Sequence, residues 1–111
     1  MRETISRQEL KARMDRGEDF VLVDALSREH FERSHLPGAI NLPLEHIEEA
    51  ERVLPNKSKE IIVYCMSESC ATSDEEVRTL KELGYENVRH YAAGKQDWIS
   101  AGLPVEGRLG T

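Results

Sequence analysis

Glu60-Ile61-Ile62-Val63-Tyr64-Cys65-Met66-Ser67-Glu68-Ser69-Cys70-Ala71-Thr72-Ser73 is the stretch on which the reading of the chain turns. Its opening residues are β-branched and aromatic, which predicts a strand over 60–64 that delivers the backbone directly into Cys65. The polar residues that follow form a loop. Val77, Leu80 and Leu83 then mark a helix that Gly84 terminates. A cysteine between a strand and a helix has a physical meaning. Successive backbone N–H groups in a tight loop converge into an anion-binding nest, and the helix N-terminus behind them adds partial positive charge. Both favour the thiolate, which is the nucleophile. A buried structural cysteine is the competing reading of the same residues.

Outward from this stretch, strands and helices alternate. Ser6 with Glu9 fits a capping box for a helix over Arg7 to Arg16, stopped by Gly17. Phe20-Val21-Leu22-Val23, ending at Asp24, reads as a strand buried on both faces. A polar helical turn spans Ser27 to Ser34, and Pro37-Gly38 turns the chain. Ala39 to Leu42 reads as a short strand. Pro43 opens a helix carrying Leu44, Ile47 and Ala50. Asn87 to Tyr91 reads as a weaker strand with alternating faces. Ala93-Gly94 leads into a last helix whose Trp98 and Ile99 are expected in the core. Such alternation predicts a mainly parallel sheet with helices on both faces, where chemistry sits at the carboxyl ends of the strands. Cys65 occupies that position.

Length and composition narrow the function. The chain has 111 residues, 39% of them hydrophobic, enough for one domain with one core. We expect that domain over 1–107 and a short tail over 108–111. No apolar run is long enough to span a membrane, and no apolar segment follows Met1-Arg2-Glu3-Thr4 as a secretory signal requires. Fifteen basic and 21 acidic residues leave a net charge of −6, a poor match to a nucleic acid or an anionic membrane. Two cysteines are too few for a disulfide framework or a four-cysteine zinc site. These features predict a cytoplasmic protein that needs no metal or other cofactor.

The chain resembles the rhodanese domain over nearly its whole length. Val23-Asp24 followed by His35-Leu36-Pro37-Gly38-Ala39-Ile40-Asn41-Leu42-Pro43 is similar to the first signature of that family. Ile61 to Cys65 is similar to the strand leading into its catalytic cysteine. Leu83-Gly84-Tyr85-Glu86-Asn87-Val88, Ala93-Gly94 through Trp98, and Ala101-Gly102-Leu103-Pro104-Val105 resemble its closing signature. The resemblance implies an α/β, rhodanese-like fold with a five-stranded, mainly parallel sheet. It also implies transfer of a sulfane sulfur through a persulfide on a catalytic cysteine, Cys65.

The loop departs from the common pattern, in which a six-residue loop runs from the cysteine, counted as its first residue, to an Arg or Thr that is followed by Ser. Counting back from Leu80 and Gly84 places Thr72 at the Arg/Thr position. The substrate-binding loop is then Met66, Ser67, Glu68, Ser69, Cys70, Ala71 and Thr72, two residues longer than usual. Cys65, Cys70 and Ser73 resemble a subgroup with Cys-x4-Cys-x2-Ser. The alternative puts Cys70 at the Arg position and the extra residues in the helix. Leu26 and His30 replace an Arg and an acidic residue of the first signature; if those residues pair in relatives, both partners are absent together.

Donor chemistry follows from the loop's charge. Thiosulfate is a dianion, and this loop holds Glu68 but no Lys or Arg. A unit charge at about 4–6 Å disfavours an anion by a few kcal/mol at an effective dielectric of about 20. That penalty nearly vanishes where Glu68 points to solvent. A small-molecule or protein persulfide is therefore the expected donor and a thiol the expected acceptor. Lys95 is a candidate cation from outside the loop. Cys70 is a candidate resolving thiol that attacks the Cys65 persulfide, or traps a sulfenic acid, unless it merely packs as a small apolar residue.

Other residues read as structural. Asp24 is expected to brace the turn after its strand, and His35 to fix the turn before Pro37. Asp74-Glu75-Glu76 is expected to complement the helix dipole in the first turn. Cys65, Cys70 and a histidine lack a further ligand for zinc. Phosphatase or arsenate-reductase chemistry needs Cys-x5-Arg, and Ala71 stands where that Arg belongs. A noncatalytic or redox-regulatory interaction module is the rival class.

Overall fold

The computed structural model describes residues 3–108. Helix α1 (Arg7–Asp15) precedes strand β1 (Val21–Asp24), helix α2 (Arg28–Arg33) and strand β2 (Ile40–Asn41). A 3-10 segment (Leu44–Glu49) and a short helix α3 (Ala50–Val53) lead to β3 (Glu60–Tyr64). Helix α4 (Thr72–Glu82), strand β4 (Asn87–Tyr91) and helix α5 (Gly94–Ser100) follow. The sheet is wholly parallel with strand order β2-β1-β3-β4, and β3 lies between β1 and β4 with Val23, Val63 and His90 in register.

The described sheet has four strands rather than the expected five. A remnant of the fifth lies beside β4, where Thr4 forms a single parallel bridge to His90. The His90 N–H donates to the Glu3 carbonyl at 2.6 Å, and the Ile5 N–H donates to the His90 carbonyl at 3.1 Å. Ser6 ends this extension because its hydroxyl accepts the Glu9 N–H at 3.0 Å and starts α1. Helix capping therefore truncates the edge strand.

Successive strand residues face opposite sides. Val23, Ile61, Val63 and Val88 pack with Val77 and Leu80 of α4 on one side. Leu22, Ile62, Tyr64 and Tyr91 pack with Leu10 of α1 and Trp98 of α5 on the other. Double coverage explains the continuous apolar runs of β1 and β3. It also corrects the reading of β4, since Val88, Arg89, His90 and Tyr91 are all buried. Two large apolar side chains lie outside the core, Ile99 against expectation. Ile99 is 46% exposed, a helical step of about 100° away from the fully buried Trp98. Leu83 is exposed where α4 ends.

Glu76 departs most from its expected place. Its side chain is fully buried on the sheet-facing side of α4, and neither carboxylate oxygen has a hydrogen-bond partner among the described residues. Burial first, and the neighbouring Asp24 second, push its carboxyl up to about 8 from an ordinary value of 4.5. The folded protein holds a proton that the unfolded chain releases. This group's contribution is thus fully present below pH 4.5 and is lost as pH rises toward 8. The slope approaches about 1.4 kcal/mol per pH unit. Glu76→Met is expected to raise the melting temperature at neutral pH and flatten its fall between roughly pH 5 and 8. Parallel pH profiles for variant and wild type in thermal denaturation would contradict this account.

Candidate active site

The site begins at the carboxyl end of β3. The Tyr64 hydroxyl donates to Asp24 Oδ2 at 2.8 Å and accepts the Leu36 N–H at 3.0 Å. Asp24 Oδ1 accepts the Leu26 N–H at 2.8 Å. Asn41 donates to the carbonyls of Asp24 and Leu26 at 3.0 and 2.9 Å. The residue before Cys65 is thereby tied to the segments that follow β1 and precede β2. Asp24 braces its turn, as expected, and is fully buried. Burial raises its pKa against the opposing hydrogen bonds of Leu26 and Tyr64 and the charge of Lys95.

A second anchor comes from α5. The N–H groups of Lys95 and Gln96 donate to the carbonyls of Cys65 and Met66 at 2.9 and 2.8 Å. These contacts need Gly94 for two reasons. Its φ is +75°, and a Cβ there would stand 2.8 Å from the Cys65 oxygen and from the Met66 carbonyl carbon and oxygen. Lys95 itself is buried, and its ammonium donates to the carbonyls of Ser34 at 2.7 Å and His30 at 3.3 Å. Burial lowers its pKa, while Asp24 opposes that shift. The lysine considered as a source of charge for the loop is thus engaged with the segment around α2.

Within the loop, the Cys70 N–H donates to the Ser67 carbonyl at 3.1 Å, and the Ser67 and Ser69 hydroxyls meet at 3.0 Å. The N–H groups of Met66, Ser67, Glu68, Ser69 and Ala71 make no hydrogen bond among the described residues. Helix α4 starts after Ala71 without a side-chain cap, which leaves the N–H groups of its first turn open. Glu68 is exposed, so the repulsion that its charge would exert on a bound anion is small. Cys65 is buried and forms a disulfide with the partly exposed Cys70, their Cα atoms 6.6 Å apart.

One cluster beside the loop escaped the sequence reading. Ser73, in the first turn of α4, lies with its Oγ 2.6 Å from His90 Nε2. His90 Nδ1 is 3.2 Å from Asp74 Oδ1. Burial lowers the His90 pKa, while Asp74 opposes that shift. The pairing fixes the start of α4 against the end of β4. No local sequence signal links Ser73 to His90; only the parallel order of β3 and β4 brings them together. His35 is structural, with Nδ1 at 2.7 Å from the Phe31 carbonyl and its ring stacked on Phe31 at 3.8 Å. His30 binds the Ser27 hydroxyl at 2.8 Å. A surface cleft of about 340 Å³ lies between α2 and the 3-10 segment, where Phe31, Pro43 and Arg52 line it; Cys65 does not line it.

The site is thus a cysteine heading the loop after a central strand of a parallel α/β sheet. Residues 6–101 match the family model described as a rhodanese-like domain, and the chain belongs to that family. It is 34% identical over 104 residues to an HTH-type transcriptional regulator of Mycobacterium tuberculosis, which covers 94% of this chain and 45% of the regulator. A sulfurtransferase of Allochromatium vinosum is 29% identical over 101 residues, 91% of this chain and 92% of that protein. The rhodanese-like domain of the Anabaena Alr3790 protein superposes with a TM-score of 0.87 at 29% identity, covering 98% of this chain and 82% of that one. The chain spans about half the length of the first curated relatives it matches, 45% and 49%. No helix among the described residues is long and apolar enough to cross a membrane. Relatives named as sulfurtransferases support sulfur transfer as the general chemistry of this class.

Gly94→Ala is expected to force the Cys65–Met66 peptide away from α5. Sulfur loading of Cys65 should fall at least about tenfold, with a loss of stability of roughly 1–3 kcal/mol for the strained backbone. Loading assays and thermal melts check both effects, and a variant that loads at the wild-type rate would contradict the anchoring role.

Proposed function

We propose that Cys65 accepts a sulfane sulfur, carries it as a persulfide and passes it to a thiol or another nucleophilic acceptor. The observation that supports this reading is the position of Cys65 at the head of a loop whose N–H groups are left open. In the first step the Cys65 thiolate attacks the outer sulfur of a donor persulfide. The donor thiolate leaves, and the enzyme holds Cys65–S–SH. The open N–H groups of Met66 to Ser69 and of the first turn of α4 stabilise the anionic forms of thiol and persulfide. The acceptor thiolate then attacks the outer sulfur, and the Cys65 thiolate departs.

The donor is a small-molecule or protein persulfide rather than thiosulfate. Glu68 faces solvent and repels an anion only weakly. Residues 66–72 include no Lys or Arg, and Lys95 is engaged with the Ser34 and His30 carbonyls. A dianion gains little where no cation neutralises it. We assign Met66, Ser67, Glu68, Ser69, Cys70, Ala71 and Thr72 to the donor-facing loop. Residues 1–107 form the single domain in this reading, and the cytoplasm supplies the reducing thiols that serve as acceptors. The net charge of −6 disfavours nucleic-acid and anionic-membrane partners. A second reading, a redox-regulatory module, is favoured by the Cys65–Cys70 disulfide.

Incubation of the reduced protein with cysteine persulfide or thiosulfate, followed by intact-mass measurement, separates these readings. One added sulfur is expected on a Cys70→Ser background and none on Cys65→Ser, with loading from thiosulfate at least about tenfold slower. Sulfur retained by Cys65→Ser but lost in Cys70→Ser would move the site. Equal loading from both donors would remove the donor preference.

A further inference from the structure

Cys70 carries chemistry that a single-cysteine carrier does not need. We propose that Cys70 is the resolving thiol of the Cys65 persulfide, which makes the loop a device that releases hydrosulfide and closes a Cys65–Cys70 disulfide. The inference rests on the carrier role of Cys65 and adds a second reacting group to it.

Three observations place Cys70 for this role. The Cα atoms of Cys65 and Cys70 are 6.6 Å apart, within the span that a disulfide bridges. The turn closed by the Cys70 N–H on the Ser67 carbonyl folds the loop back on its own origin. Both ends are held while it does so: the Cys65 and Met66 carbonyls bind the N–H groups of Lys95 and Gln96, and the Ala71 carbonyl accepts the Glu75 N–H at 3.1 Å. The disulfide therefore coexists with the intact anchors on both sides of the loop. Proximity adds a kinetic argument: Cys70 meets Cys65 within the same eight-residue segment at a high effective concentration.

The step balances without an added oxidant. The Cys70 thiolate attacks the inner sulfur, Cys65 Sγ. The Sγ–S bond of the persulfide breaks and hydrosulfide leaves with the electron pair. The sulfane sulfur is reduced, and the two cysteine thiols are oxidised to the disulfide. Two equivalents of an external thiol then reset the loop, the first attacking Cys70 as the more exposed sulfur and the second releasing a small-molecule disulfide. The net reaction takes one persulfide and two thiols to one donor thiol, one hydrosulfide and one disulfide. Attack on the outer sulfur instead would leave the sulfur on the protein.

The test uses fully reduced protein, freed of reductant and given one equivalent of cysteine persulfide, with sulfide and intact mass measured after acid quenching. Wild type is expected to release about one sulfide per chain and to end two hydrogens lighter than the reduced form. Cys70→Ser and Cys70→Ala are expected to keep one added sulfur and to release sulfide at least tenfold more slowly. A wild-type chain that retains the added sulfur without releasing sulfide overturns the resolving role and leaves the carrier role standing. Sulfide release from both Cys70 variants at the wild-type rate overturns it as well. Failure of both Cys70 variants to take up sulfur, with wild type also inert, removes the carrier reading and this one with it.

Discussion

The Tyr64 hydroxyl is the point on which the carboxyl end of the sheet is organised. It donates to a buried carboxylate, Asp24, and accepts from the Leu36 backbone, so one phenol joins β3 to the segments after β1 and before β2. A Phe at that position would remove the donor to Asp24 Oδ2 and the acceptor of the Leu36 N–H, which costs about 1–3 kcal/mol for each group left unsatisfied. Cys65 follows directly in the chain. The position of the Cys65 sulfur is thus inherited from a hydrogen-bonded core residue, while the loop supplies the open donors.

Around that point the fold buries ionisable groups of both signs. Asp24, Glu76 and Lys95 are all nearly inaccessible. Lys95 is satisfied by carbonyls, Asp24 by donors, and Glu76 by neither among the described residues. In a region of low dielectric the acids stay neutral more readily, which limits the negative potential near the thiolate. The exposed Asp74, Glu75 and Glu68 act mainly through solvent and contribute less. The chain's acidity therefore says less about the site than its net charge suggests.

Much of this was legible in the sequence because it is written locally. The bounds of β3 and β4 follow from their β-branched and aromatic runs, the start of α1 from Ser6, and the stop of α4 from Gly84. The loop between Cys65 and Ser73 was legible for the same reason. What was not legible depends on distant partners. Arg89 alternates with apolar neighbours as if β4 had a wet face, yet it is buried and donates to the Thr4 carbonyl. Glu76 sits among acidic neighbours as if on the surface, but the angular step of the helix turns it inward. The Ser73–His90 contact and the engagement of Lys95 require knowing which strands are adjacent and which carbonyls lie across the sheet.

The hold of α5 on the loop has a temporal side. Gly94, Lys95 and Gln96 are synthesised after Cys65 and Cys70, and no earlier segment supplies the two N–H groups that fix the Cys65 and Met66 carbonyls. A nascent chain therefore presents both thiols on a loop whose Cys65 and Met66 carbonyls lack their α5 partners until that helix has formed and docked. The trained geometry of the loop is a late product of folding. Oxidative encounters during synthesis meet two free thiols five positions apart, before the site that governs their chemistry exists.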